Sequence, residues 1–170
     1  MRKRRFAARN LARRTSLPRG PRPSSVVRVT GIDYLDLDQH LGYALRRAQV
    51  AAFDAFHRAT AGAAITPPRF TALVILQANP GISQSILGEV LGTARSGAML
   101  LTDWLEAQDL AERRHRSDDG RAWGLYLTGK GQRLIQRLRR RVRAYDRRFA
   151  ARIRPGERRK LLRLLEKLAR

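Results

Sequence analysis

A chain of 170 residues supports one domain with a sizeable core, and its formal net charge of +22 points toward polyanionic partners. No apolar run approaches the ~18 residues needed to cross a bilayer, so no membrane partner is expected. There is no cysteine, which excludes disulfides, thiolate metal sites and cysteine-based redox sensing.

The charge is unevenly placed. Residues 1–30 carry ten basic and no acidic groups, residues 31–130 ten against eleven, and residues 131–170 sixteen against three. A nearly neutral centre therefore lies between two basic flanks. Such flanks hold a protein on a polyanion without choosing a sequence, and salt weakens the attraction. Nearly all the cations are Arg, which favours bidentate phosphate contacts; codon bias in a GC-rich genome accounts for that preference equally well.

Residues 1–30 are rich in Arg, Pro and Ser without apolar periodicity, and read as a disordered basic arm. The arm either enters a minor groove or tracks phosphates, or else precedes a true start at Val26, Val27 or Val29. Arg13-Arg14-Thr15-Ser16-Leu17 faintly echoes a twin-arginine export signal. Pro18, Arg19, Gly20, Pro21 and Arg22 follow in place of an apolar region, so export is not expected and a cytoplasmic location is.

Over residues 37–61, Leu41, Leu45, Ala48, Ala52, Phe56 and Ala59 repeat at helical spacing with Phe53 beside them, a stripe that serves a core or a partner helix. Thr66-Pro67-Pro68 opens the next helix, with Thr66 as cap; Phe70, Leu73, Val74 and Leu76 form its buried face, and Asn79-Pro80-Gly81 ends it. Ser83 caps a short helix whose buried face is Ile86, Leu87, Val90 and Leu91, and Gly92 closes it. Thr93 caps the following helix. Ala94, Ala98, Leu101 and Leu105 face its core side; Arg95, Ser96, Met99 and Asp103 face outward, with Gly97 between.

Two strands then flank Ser117-Asp118-Asp119-Gly120-Arg121, covering residues 111–116 and 121–127, with Trp123, Leu125 and Leu127 pointing inward. Tandem short helices followed by a charged hairpin are the layout of a winged helix-turn-helix. Thr128 caps a long helix to about residue 153, striped by Leu134, Leu138, Val142, Tyr145, Phe149 and Ile153. Pro155-Gly156 breaks the chain, and a last helix carries Leu161, Leu164, Leu165 and Leu168 on one face. These apolar stripes exceed what one small module covers and argue for pairing with a second copy. The fold class is thus mostly α with a small β-hairpin wing: a winged helix-turn-helix with long N- and C-terminal dimerisation helices. Its DNA-binding core spans about 66–128 and its dimerisation helices about 37–61 and 129–170.

Several runs carry a family resemblance. Leu105-Glu106-Ala107-Gln108-Asp109-Leu110-Ala111-Glu112-Arg113 is similar to the L-E-x-x-G-L-x-x-R run of MarR-type transcriptional regulators. Asp119-Gly120-Arg121 resembles their wing signature D-x-R, Leu127-Thr128-Gly129-Lys130-Gly131 their L-T-x-x-G, and Arg95-Ser96 the R-S that often opens their recognition helix. The resemblance covers roughly residue 37 to the C-terminus. Asp109 departs from it, standing where the family usually has glycine, and Met99 and Leu100 replace groups that are often polar or basic.

The expected function is that of a homodimeric, sequence-specific regulator of double-stranded DNA, a repressor modulated by a small ligand. Arg95, Ser96, Gly97 and Met99 would present the reading helix to base edges, Met99 against a thymine methyl. Arg121 would enter a minor groove, held by Asp119, although the pair also reads as a plain surface ion pair. Ser83, Gln84 and Ser85 would bind phosphate at a helix N-terminus; Arg113, Arg114 and Arg116 contact phosphate or keep the wing solvated. The resemblance implies a cleft for a small aromatic or anionic ligand, with His40, Tyr43, Arg46 and His57 as lining candidates. A lone helical His is more often a structural or solvated residue.

The competing reading is a non-specific nucleic-acid packaging or RNA-associated basic protein. Enzymatic function is not expected. Ser, His and Asp never pair a nucleophile with a base, no metal-ligand cluster occurs and no cofactor is expected. The G-x-x-x-x-G-K match at Gly124, Gly129 and Lys130 continues with Gly131 instead of a Mg²⁺-binding hydroxyl.

Overall fold

The computed structural model describes Val29, residues 31–115 and residues 122–170. The basic arm expected over residues 1–30 lies outside these, Val29 excepted, as does the hairpin tip at residues 116–121. The chain forms two compact units, Met1–Asp54 and Ala55–Arg170.

In the first unit a 3₁₀ turn, Leu37–Gln39, leads through an extended His40 into helix α1, Leu41–Ala59. The expected single helix from residue 37 is therefore split, because the extended backbone at His40 (ψ 118°) interrupts the hydrogen-bond ladder. Leu41, Leu45 and Phe53 of the apolar stripe are solvent-exposed. Among the described residues of this unit nothing covers these three positions, and an exposed apolar stripe with this spacing is the kind of face that suits a partner helix.

The second unit takes the last turn of α1 and continues with α2 (Pro67–Ala78), α3 (Gln84–Val90), α4 (Arg95–Ala107), β1 (Ala111–His115), β2 (Trp123–Leu127), α5 (Gly129–Ala150) and α6 (Pro155–Leu168). Its core joins Leu73 and Leu76 of α2, Leu87 of α3, Leu105 of α4, Leu125 of β2, and Ile135 and Leu138 of α5. Phe56 closes one end, meeting Phe70 edge-on at 5.6 Å and Tyr145 at 6.3 Å. Burial raises the Tyr145 phenol above its ordinary pKa, with neighbouring Asp146 adding to the effect.

The hairpin is antiparallel and pairs Ala111 with Leu127, Arg113 with Leu125 and His115 with Trp123. Its free edge is pinned to the loop before α3. Gly81 N–H donates to the Leu125 carbonyl at 2.9 Å, and Leu125 N–H to the Ile82 carbonyl at 3.0 Å. These bonds tie β2 to the tandem helices.

Local capping follows the sequence in two places. Ser83 Oγ accepts from Ile86 N–H at 3.3 Å, and Thr128 Oγ1 accepts from Gly131 N–H at 3.0 Å. Thr66 stands at the N-cap of α2 without a side-chain bond, and Pro67 occupies the first turn. Thr93 is not the cap of α4. Ala94 is, and Thr93 sits one residue earlier with its hydroxyl against Gly97.

Three expected faces are corrected. In α3, Ile86 and Val90 are 49% and 52% exposed, while Leu87 and Gly88 are buried. A Cβ on Gly88 would lie 3.0 Å from Ala98 Cβ, so the close approach of α3 and α4 fixes the rotation of this two-turn helix. In α4, Thr102 is fully buried and Ala94 is exposed. In β2, Trp123 is 56% exposed and lies over His115 (centroids 4.1 Å apart), whereas Gly124 is buried because Gly81 crosses directly beneath it.

Helix α5 ends at Ala150, before the expected residue 153. Pro155 opens α6, where Glu157 accepts from the Arg154 backbone N–H at 2.7 Å. Leu161, Leu162, Leu164 and Leu168 of α6 remain exposed. Among the described residues no helix is long and apolar enough to cross a membrane.

Candidate nucleic-acid interface

Helix α4 carries the candidate reading surface. Arg95, Ser96 and Met99 are exposed in its first turns, with Leu100 beside them at 68% exposure. Leu100 was missing from the expected contact set. Its spacing of four from Ser96 is the signal that places both on one face. Gly97 is half-buried against Thr93 and presents no side chain to a partner.

The back of this surface is locked by Arg113. Its guanidinium pairs with Glu106, reaches Asp103 Oδ1 at 2.9 Å and donates to Gln84 Oε1 at 2.8 Å, while its backbone N–H donates to Glu106 Oε1 at 3.0 Å. Thr102 Oγ1 donates to the Ala98 carbonyl at 2.6 Å and lies 3.1 Å from the same Gln84 oxygen. One side chain of β1 thus ties the first turn of α3 to two turns of α4. Arg113 and Gln84, both expected at phosphate, are engaged inside the module and half-buried. Glu106 and Asp103 complete the cluster; the L-E-x-x-G-L-x-x-R spacing already contained the Glu106–Arg113 pair. Gln84, Arg113, Trp123, Gly124 and Leu125 also line an open groove of about 330 Å³.

The remaining candidates are dispersed. The Ser83 hydroxyl is used as the α3 cap, and Ser85 is exposed one turn into the same helix. Arg114 lies 4.1 Å over the Tyr126 ring and 3.2 Å from Glu112, with its guanidinium open to solvent. Asp119 and Arg121 lie outside the described residues. On the opposite side of α4, Arg69 covers the Trp104 ring at 3.6 Å, and burial lowers its pKa from the ordinary arginine value.

The candidates for ligand contact make local interactions. In the first unit His40 pairs with Asp36 at 3.1 Å, Arg46 donates to Gln49 at 3.0 Å, and Tyr43 lies 6.4 Å from Tyr34 with Arg47 over its ring. In the second, His57 is exposed and meets Phe56 edge-on. Among the described residues no group of three His, Asp or Glu side chains is arranged to hold a metal.

Known proteins share this fold. Residues 65–123 match the MarR family profile. The chain is 35% identical over 131 residues to a putative transcriptional regulatory protein for the hcr operon of Thauera aromatica, covering 76% of this chain and 79% of that protein. The transcriptional repressor CouR, solved on a 23-mer DNA duplex, superposes with a TM-score of 0.76 at 33% identity, covering 82% of this chain and 99% of CouR. The PcaV regulator of Streptomyces coelicolor, solved with its natural ligand, gives 0.72 at 28% identity, covering 81% and 97%. With the sequence runs, the wing and the tandem helices in agreement, the chain belongs to the MarR family of transcriptional regulators.

Proposed function

We propose that the protein is a homodimeric repressor that binds an operator duplex through α4 and the wing and leaves it when a small ligand binds. The observation that carries this reading is the outer face of α4. Arg95, Ser96, Met99 and Leu100 stand free on a helix whose inner side is held by Arg113 and the core. A rigid, solvent-facing helix of this width fits a major groove, with Met99 and Leu100 suited to thymine methyls and Arg95 to phosphate or guanine. Arg121 at the hairpin tip would enter the minor groove with Asp119 holding it, and Ser85 and Arg114 would meet phosphate.

The uncovered leucines of α6 and the exposed stripe of α1 support a second copy as partner. Residues 66–128 then form the reading core, 37–61 and 129–170 the pairing helices, and 1–30 a basic arm. CouR has also been solved with p-coumaroyl-CoA, which supports a small aromatic or anionic effector for this chain. His40, Tyr43, Arg46 and His57 are the residues to test for that contact. The reading assigns the protein no catalysis and places it in the cytoplasm, on the nucleoid.

Titration of the full chain against fragments of its own upstream region and against random duplex, at two salt concentrations, tests the proposal. A preference of about a hundredfold or more for one fragment at the higher salt is expected, within the range of specific regulators. Equal affinity for both would replace the repressor by a non-specific DNA-coating protein.

A further inference from the structure

Downstream of residue 130 the chain carries sixteen basic residues against three acidic ones. All three carboxylates are engaged. Asp146 pairs with Arg158 at 2.9 Å, Glu157 accepts from the Arg154 backbone and Glu166 pairs with Arg170 at 2.8 Å. Three arginines of α5 are also tied down, Arg139 to Gln77 Oε1 at 3.0 Å, Arg141 to the Ala61 carbonyl at 3.4 Å and Arg148 to the Ala144 carbonyl at 3.4 Å.

Five arginines of α5 are left, and Arg133, Arg140 and Arg147 form a series among them. They are seven residues apart, so they stack along one line of the helix at intervals of about 10.5 Å. That line lies opposite Ile135 and Leu138, which are fully buried. Arg137 and Arg143 flank it. All five are exposed, and among the described residues no carboxylate pairs with any of them. At the head of the line, Lys130, Arg133, Gln136 and Arg137 line a groove of about 260 Å³.

Helix stability does not account for this ridge. Like charges three and four residues apart destabilise a helix by a few tenths of a kcal/mol per pair, and this face repeats the arrangement from Arg133 to Arg147. A linear polyanion offsets this repulsion, because each cation gains an anionic neighbour. The surroundings discriminate between polyanions. A membrane-surface helix needs an apolar face free to insert, and the apolar face of α5 is packed against the core. Single-stranded nucleic acid is held by aromatic platforms, and the ridge has none, since Tyr145 and Phe149 lie on the inner side. A duplex phosphate backbone asks only for spaced cations.

We infer that the arginine ridge of α5 is a second, sequence-independent binding face for duplex DNA, separate from the reading surface of α4. It holds a neighbouring stretch of DNA and takes no part in choosing the operator. The test compares the full wild-type chain with the triple variant Arg133→Gln, Arg140→Gln, Arg147→Gln and with the corresponding triple Lys variant. Binding to a random-sequence duplex is followed from about 50 to 200 mM salt.

Three lost phosphate contacts lower the slope of log affinity against log salt by about 2.5 and weaken binding about a hundredfold at low salt. The Lys variant keeps the wild-type slope, and thermal melting is unchanged in both. A Gln variant whose slope stays within about half a unit of wild type overturns the inference. So does a variant that loses binding to phosphatidylserine vesicles or single-stranded RNA while keeping it to duplex.

Discussion

The reading module and helix α5 treat charge in opposite ways. Around α4 the cation Arg113 is surrounded by Glu106, Asp103 and Gln84, and the exposed residues beside it include Ser96, Met99 and Leu100. Along α5 the cations outnumber every available carboxylate and face water. A surface that must discriminate bases needs shape, apolar contact and fixed geometry. A surface that only has to stay near DNA needs unpaired charge. The same residue type is a brace in one region and lies open to solvent in the other, and the neighbours decide which.

The largest expected effect is at the joint between the two. Gly131, in the first turn of α5, lies directly under the Leu110 carbonyl, where an added Cβ would collide with backbone. Gly131→Ala should cost about 3 kcal/mol in urea unfolding and disturb both regions together. A loss below about 1 kcal/mol would mean that the helix start moves freely against the wing.

Arg113→Ala separates the regions. It leaves Glu106 and Asp103 as adjacent unpaired carboxylates, and should cost about 2 kcal/mol of stability together with operator binding. Arg140→Ala on the ridge should change stability by less than about 0.5 kcal/mol. Equal effects of the two substitutions would erase the distinction between brace and contact.

Arg121→Ala is expected to weaken operator binding by about 1 kcal/mol with melting unchanged. Undiminished affinity in the folded variant would take the wing out of recognition. The smallest effect is a gain. Asp109 holds φ at +56° after α4, a conformation that glycine adopts without steric cost. Asp109→Gly should stabilise the module by about 0.5–1 kcal/mol while leaving DNA affinity unaltered. A net loss would show that the Asp109 side chain contributes more than its backbone strain costs.

Much of this was legible in the residues themselves. Apolar spacing located α2 and α5, Ser83 and Thr128 announced real caps, and the Leu105–Arg113 and Leu127–Gly131 runs carried the family. The exposed half of α1 was foreseeable as a face for core or partner. The misreadings share one cause. In α3, four apolar residues in two turns fit more than one rotation, and only the close packing of Gly88 on Ala98 selects the one that leaves Ile86 and Val90 in water. In β2, alternation assigned Trp123 inward, but the strand end passes the edge of the core and Gly81 occupies the space beneath Gly124.

The candidate site divides along the same line. Residue type and position along the chain identified Arg95, Ser96 and Met99 as an outward-facing set, because helical periodicity is a local property. They could not separate Arg113 from Arg114, adjacent in one strand, since successive strand residues point to opposite faces. Tertiary structure sends Arg113 into a cluster drawn from α3 and α4 and Arg114 over Tyr126 into solvent. The sequence by itself determined most of the elements, the caps at Ser83 and Thr128 and the sum of charge on each segment. Only the folding of distant segments against one another decided which charges are neutralised, because an ion pair depends on distance in space and not along the chain.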